Sequence, residues 1–134
     1  MGVLSPLGIG LEANWDAISN GRSGIGPVTK FDASDLPSRI AGEVRNFNAE
    51  DWVEKKEIKK MDPFLHYTLA AGQMAVQQSG LVIDESNAER VGVLVGSGLG
   101  GLETIEKYHT ILLEQGTKRI SPFFIPMLIV NLAP

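Results

Sequence analysis

Arg90-Val91-Gly92-Val93-Leu94-Val95-Gly96-Ser97-Gly98-Leu99-Gly100-Gly101 is the stretch on which the fold turns. Its first half is a continuous apolar, β-branched run, the kind of strand that is buried on both faces in a parallel sheet. Its second half is a glycine turn, and it leads straight into a helical stretch at residues 102–115 that Gly116 closes. Strand, glycine turn and helix in succession predict an α/β fold. Gly96, Gly98 and Gly101 also fit the G-x-G-x-x-G spacing of a dinucleotide-binding turn, where glycines admit a pyrophosphate to a helix N-terminus. Two features count against that reading. Such a turn follows the first strand of its domain, whereas about ninety residues precede this one, and the acid expected about 20 residues on is replaced by Lys118, Arg119 and Ile120. The spacing therefore favours glycines demanded by backbone conformation and packing.

Upstream, Asp62 followed by Pro63 at the first helical position predicts a long helix reaching Ser79 and ended by Gly80. Its Ala70, Ala71, Gly72 and Ala75 predict close burial against another element. The charged run at residues 54–61, with only Ile58 and Met61 on an apolar side, reads as a solvated helical turn, preceded by a short helix opening at Asn48 or Ala49. Residues 10–20 predict an amphipathic helix, with Leu11, Trp15 and Ile18 spaced by four and three and Gly21 as the left-handed cap. Between these lies an irregular surface segment at residues 22–38, with Phe31 as its anchor to the core, and a short strand at residues 40–44.

With 134 residues and 43% hydrophobic content, the chain is the size of one ordinary domain and can build a sizeable core. Twelve basic against sixteen acidic residues leave a net charge of −4, which argues against nonspecific nucleic-acid binding. There is no cysteine, so disulfides, thiolate metal sites and a thiol nucleophile are all excluded within these residues. The opening residues carry no basic region or long apolar run, and Pro126 interrupts the apolar stretch near the end, so a soluble, cytoplasmic chain is expected. Both ends read as cut. Residues 2–8 have a turn composition that normally follows a strand, and residues 123–134 stay apolar without a cap or polar tail.

Several motifs stand in one order along nearly the whole chain. They are Ser5-Pro6-Leu7-Gly8, Trp15, Phe31-Asp32, Ala41-Gly42, Phe47-Asn48, Lys60-Met61-Asp62 and Arg90-Val91-Gly92 leading into the glycine turn; Ile120-Ser121-Pro122-Phe123-Phe124-Ile125-Pro126 and Ile129-Val130-Asn131 complete the series. Together they resemble the β-ketoacyl-[acyl carrier protein] synthase family, in its synthase II type. The resemblance implies a thiolase-like fold, a duplicated α/β unit in five layers, in a homodimer. Residues 1–134 are then a partial N-terminal domain. Met1 stands between the two glycines of the family's opening Thr-Gly-Leu-Gly turn, so the first strand is expected to be missing. The family's nucleophilic cysteine follows beyond Asn131, and its catalytic histidines and lysine later still. His66 and His109 fall at positions the family does not use for catalysis, so no catalytic residue is expected here.

The family's reaction moves an acyl group from a carrier-protein thioester to the cysteine and condenses it with decarboxylated malonyl-carrier protein. By the resemblance, Leu99 is the gate between cysteine and acyl pocket; ordinary turn packing is the other reading. Phe124 and Ile125 would border the partner's acyl pocket at the dimer interface, with core burial equally open. Lys56, Lys59, Lys60, Lys118 and Arg119 match basic positions that dock the acidic acyl carrier protein, although a charge run is often only a solvated face. No cofactor, metal, nucleic acid or membrane is implied. Two other functions stay open, a noncatalytic interaction or dimerisation module and a nucleotide-binding α/β protein.

Overall fold

The computed structural model describes the backbone of residues 1–134 and every side chain except that of Leu132. The chain forms two compact units, one from residues 1–48 and 71–80, the other from residues 49–70 and 81–134.

In the first unit, β1 (Leu4–Ser5) and β2 (Gly8–Ile9) pair antiparallel across Pro6 and Leu7, with Leu4 opposite Ile9. Helix α1 (Leu11–Ser19) follows at once. Asn14 ties it to the hairpin: its amide donates to the carbonyls of Gly8 at 2.9 Å and Gly10 at 2.7 Å, and its oxygen accepts from the Ser5 hydroxyl. The helix lies so close that a Cβ on Gly8 would stand 2.9 Å from that of Ala13. Only small or hydrogen-bonded side chains fit such an approach, so Asn14 and Ala17 face inward. The apolar stripe of Leu11, Trp15 and Ile18 faces outward, with Trp15 67% exposed. An amphipathic helix ordinarily buries its stripe, and here the polar tie decides the orientation instead. Gly21 adopts φ +63°, as expected, and the pair of bonds from Gly21 N to Ile18 O and Arg22 N to Ala17 O closes the helix in a Schellman motif.

Strands β3 (Ile25–Pro27) and β4 (Ile40–Gly42) form a second antiparallel pair in the same unit. Pro6 packs against both, since a Cβ on Gly24 or Gly42 would come within 2.8 Å of it. The anticipated strand at 40–44 thus stops at Gly42, and Phe31 is exposed rather than an anchor; Ala33 is the buried residue of that loop. The C-terminal half of α3 (Pro63–Ser79) accepts the N-terminal segment in close contact, with a Cβ on Gly2 landing on the Ala71 carbonyl. The small residues of α3 make that approach possible.

The second unit holds α2 (Lys55–Ile58), the start of α3, α4 (Leu102–Gln115) and α5 (Phe124–Leu128), with 3₁₀ turns before α2, between α3 and α4, between α4 and α5, and after α5. Val53, Leu65, Ala70, Tyr108 and Met127 form its core, with Asp62, His66 and Thr104 as buried polar members. The bounds of α3 and α4 match the sequence reading. Residues 91–95 do not: Val91 has extended dihedrals, but no strand pairs with the segment, and Val93 and Leu94 are 71% and 95% exposed. β-branched side chains favour extended backbone, yet a strand exists only when a neighbour satisfies its amides and carbonyls, and the described residues supply none. Both strand pairs among them are antiparallel. No helix among the described residues is long and apolar enough to cross a membrane.

Candidate functional site

The glycine turn separates into two halves. Gly96 and Gly98 have open space where a side chain would go. Gly100 takes φ +66°, and a Cβ there would meet the Leu128 carbonyl oxygen at 2.6 Å and Val130 Cγ2 at 2.9 Å. A Cβ on Gly101 would lie 2.7 Å from Leu128 Cα, and the Gly101 amide donates to the Leu128 carbonyl at 3.1 Å. The last two glycines are therefore required by the chain's own residues 128–130 and by a left-handed φ, with no ligand needed to explain them.

Asp62 occupies the N-terminal end of α4. Its side chain is buried, with Oδ2 accepting from the Thr104 amide at 3.0 Å and the Thr104 hydroxyl at 2.7 Å. Oδ1 accepts from the Phe64 amide at 3.3 Å, capping α3 in the way the sequence suggested. The N-cap of α4 is Gly101, which has no side chain, and the Asp62 carboxylate takes its place from 42 residues away. A phosphate bound as in a dinucleotide site would need the same first-turn amides and would face a buried negative charge. The geometry thus opposes the dinucleotide reading. Sequence reasoning missed this second role of Asp62. The only signal available was Gly101-x-x-Thr104, a helix start whose cap position offers no acceptor.

Leu99 sits at the tip of the turn, 74% exposed, while Ser97 Oγ accepts from the Gly100 amide at 3.1 Å behind it. Turn packing does not account for Leu99 here. Phe124 is half-buried and meets Tyr108 with ring centroids 5.0 Å apart, inclined at 57°. Ile125, next in sequence, is exposed. The two residues grouped by the sequence reading therefore part company, Phe124 joining the core of its own unit and Ile125 facing away from it.

The basic residues also divide. Lys56 pairs with Glu54 at 2.7 Å, and Lys60 pairs with Glu57 at 2.8 Å while lying 5.6 Å from the centre of the Phe123 ring. Lys59, Lys118 and Arg119 are exposed and have no acidic partner among the described residues. His66 is buried on α3 with Nε2 3.2 Å from the Ile58 carbonyl oxygen, and His109 is exposed on α4. Neither stands in a cluster of three or more His, Asp or Glu side chains able to hold a metal, and no such cluster occurs among the described residues.

The structure superposes on the ishigamide ketosynthase/chain length factor with a TM-score of 0.80 at 26% identity, covering 98% of this chain and 33% of that one. It also superposes, at a TM-score of 0.69 and 22% identity, on a chain of a type II PKS acyl-carrier protein in complex with its ketosynthase, over 98% of this chain and 35% of that one. The second likeness bears on fold alone. The fold is thus that of the N-terminal part of a thiolase-like ketosynthase. In sequence the chain is 47% identical over 133 residues to 3-oxoacyl-[acyl-carrier-protein] synthase 2 of Synechocystis sp., covering 99% of this chain and 32% of that protein. Residues 1–134 match the family model for the beta-ketoacyl synthase, N-terminal domain, and the chain belongs to that family. It spans about a third of the length of the curated relatives it matches.

Proposed function

We propose that these residues serve as the N-terminal third of a 3-oxoacyl-[acyl carrier protein] synthase, condensing an acyl thioester with malonyl-[acyl carrier protein] in fatty-acid elongation. The observation that carries this reading is the 47% identity to a 3-oxoacyl-[acyl-carrier-protein] synthase across 99% of the chain. In this reading residues 1–134 form a partial ketosynthase domain without the nucleophile, and a cysteine elsewhere in the polypeptide receives the acyl group. The chain supplies walls and a docking surface. Leu99 gates the acyl pocket, a role its exposed position on an anchored turn supports, and Phe124 and Ile125 form a wall at a homodimer interface. The exposed Ile125 favours an apolar neighbour, whereas Phe124 acts through its packing on Tyr108.

The acidic carrier protein docks on Lys56, Lys59, Lys60, Lys118 and Arg119. Lys59, Lys118 and Arg119 lead, because they have no acidic partner among the described residues, while Lys56 and Lys60 must first leave Glu54 and Glu57. The exposed Lys56–Glu54 pair holds by less than about 1 kcal/mol, so that exchange is inexpensive, whereas Lys60 is half-buried beside Glu57 and Phe123 and is the more firmly held of the two. The protein works in the cytoplasm.

The full-length protein that carries these residues, given acyl- and malonyl-carrier protein, is expected to release carbon dioxide and form the 3-oxoacyl product. Absence of product overturns the reading. Within it, Lys59→Glu combined with Arg119→Glu is expected to raise KM for the carrier-bound substrate about tenfold or more at low salt and to leave acyl transfer from a small thioester unchanged. Unchanged KM removes the docking surface from the proposal.

A further inference from the structure

We infer that Asp62 is a positioning residue that holds the Leu99-bearing turn in one conformation by capping two helices with one carboxylate. Both helix starts converge on it: α3 of 17 residues through the Phe64 amide, and α4 of 14 residues through the Thr104 amide and hydroxyl. Each brings the positive end of its dipole to a carboxylate that is 4% exposed, so attraction is screened little and the geometry is tightly held. Gly101 belongs to the same device, since a Cβ there would stand 3.1 Å from Asp62 Oδ2. Behind the turn, Leu128 accepts the Gly101 amide, and ahead of it Ser97 accepts the Gly100 amide. Leu99 is thereby fixed at its C-terminal side by a group 37 positions earlier in the chain. Displacing the start of α4, and with it the Gly101 end of the turn, requires breaking the bonds from Thr104 to a buried anion, which no other described side chain replaces.

The functional consequence rests on the gate reading of Leu99 proposed above. A gate whose hinge is anchored by Asp62 admits acyl chains according to how far the turn can yield, so weakening the anchor changes selectivity among substrates. A purely structural Asp62 would lower activity toward all of them equally.

The test uses the full-length protein with Asp62→Asn, Asp62→Ala and Thr104→Val. The readouts are kcat/KM for a short and a long acyl-carrier protein, and amide hydrogen exchange at residues 98–104. The expected result is a change of about threefold to tenfold in the short-to-long ratio for Asp62→Ala. A smaller change in the same direction is expected for Asp62→Asn, which keeps one acceptor oxygen, and for Thr104→Val, which loses only the hydroxyl bond. Exchange at Thr104 and Gly101 should accelerate more than exchange in the rest of α4. If Asp62→Ala fails to fold, the other two variants decide. An unchanged ratio in active, folded variants overturns the inference, as does uniform exchange. A wild-type protein without condensation activity overturns the function proposed above, and the exchange pattern still reports whether Asp62 holds the turn.

Discussion

Asn14 and Asp62 are short polar side chains at junctions between elements, and both make bonds that a hydrophobicity pattern does not register. Asn14→Ala removes the side-chain bonds to the Gly8 and Gly10 carbonyls and the acceptor of the Ser5 hydroxyl, while the backbone bond from residue 14 to Gly10 remains, and is expected to destabilise the chain by about 1–3 kcal/mol in urea unfolding. The much larger truncation Trp15→Ala, on the exposed face of the same helix, should stay within about 0.5 kcal/mol. The glycine turn offers a similar contrast. Gly101→Ala forces a Cβ to 2.7 Å from Leu128 Cα and should cost about 1–3 kcal/mol, whereas Gly98→Ala enters open space and should be nearly neutral. Glu43 adds a pH-dependent term. The Thr29 hydroxyl at 2.6 Å, then the Thr29 amide at 3.0 Å, hold its carboxyl below the usual glutamate range. A depressed folded-state value means the contribution is complete above the unfolded glutamate pKa and is lost as pH falls through that range and below. Titration of Glu43 by NMR should show Thr29→Val moving its pKa upward; an unmoved value would show that Thr29 is not the cause.

At the scale of elements, α3 and α4 were readable because their limits are set locally, by Pro63 and Gly80 for one and by Gly101 and Gly116 for the other. Helix bonds join residues four apart, so a short window of sequence contains most of the decision. The candidate site was legible only in part. Lys56, Lys59, Lys60, Lys118 and Arg119 could be named from the resemblance, but whether Lys56 and Lys60 are paired depends on how the turn of α2 sets them against Glu54 and Glu57. Residues 91–95 mark the other limit. Their composition speaks for a strand, but pairing needs a second segment, and amides 92–95 make no backbone hydrogen bond among the described residues. These amides should therefore exchange at nearly unprotected rates in the 134-residue chain and become protected in the full-length protein; strong protection in the short chain would contradict the structure.

For the molecule as a whole, the balance between core and surface matters most. The buried apolar residues of both units are few, including Ala17, Ala33, Val53, Leu65 and Tyr108, while Val93, Leu94, Leu99 and Leu113 all stand exposed. Exposed apolar side chains on an unpaired extended segment favour association of chains. The 134-residue chain is expected to self-associate at micromolar concentration, and Leu94→Lys to reduce that association without altering helix content, as read by sedimentation velocity and circular dichroism. A wild-type chain that sediments as a monomer would count against this view of the surface.

What the amino-acid order determined by itself is the family, through an ordered series of motifs from Ser5-Pro6-Leu7-Gly8 to Ile129-Val130-Asn131, and the extents of its two long helices. Tertiary structure alone decided that α1 turns its apolar stripe outward, that Asp62 caps α4 as well as α3, and that only Gly100 and Gly101 of the turn are sterically required. Caps and helical periods act within a few residues, whereas the facing of a helix, the partner of a strand and the target of a buried carboxylate depend on groups tens of residues away.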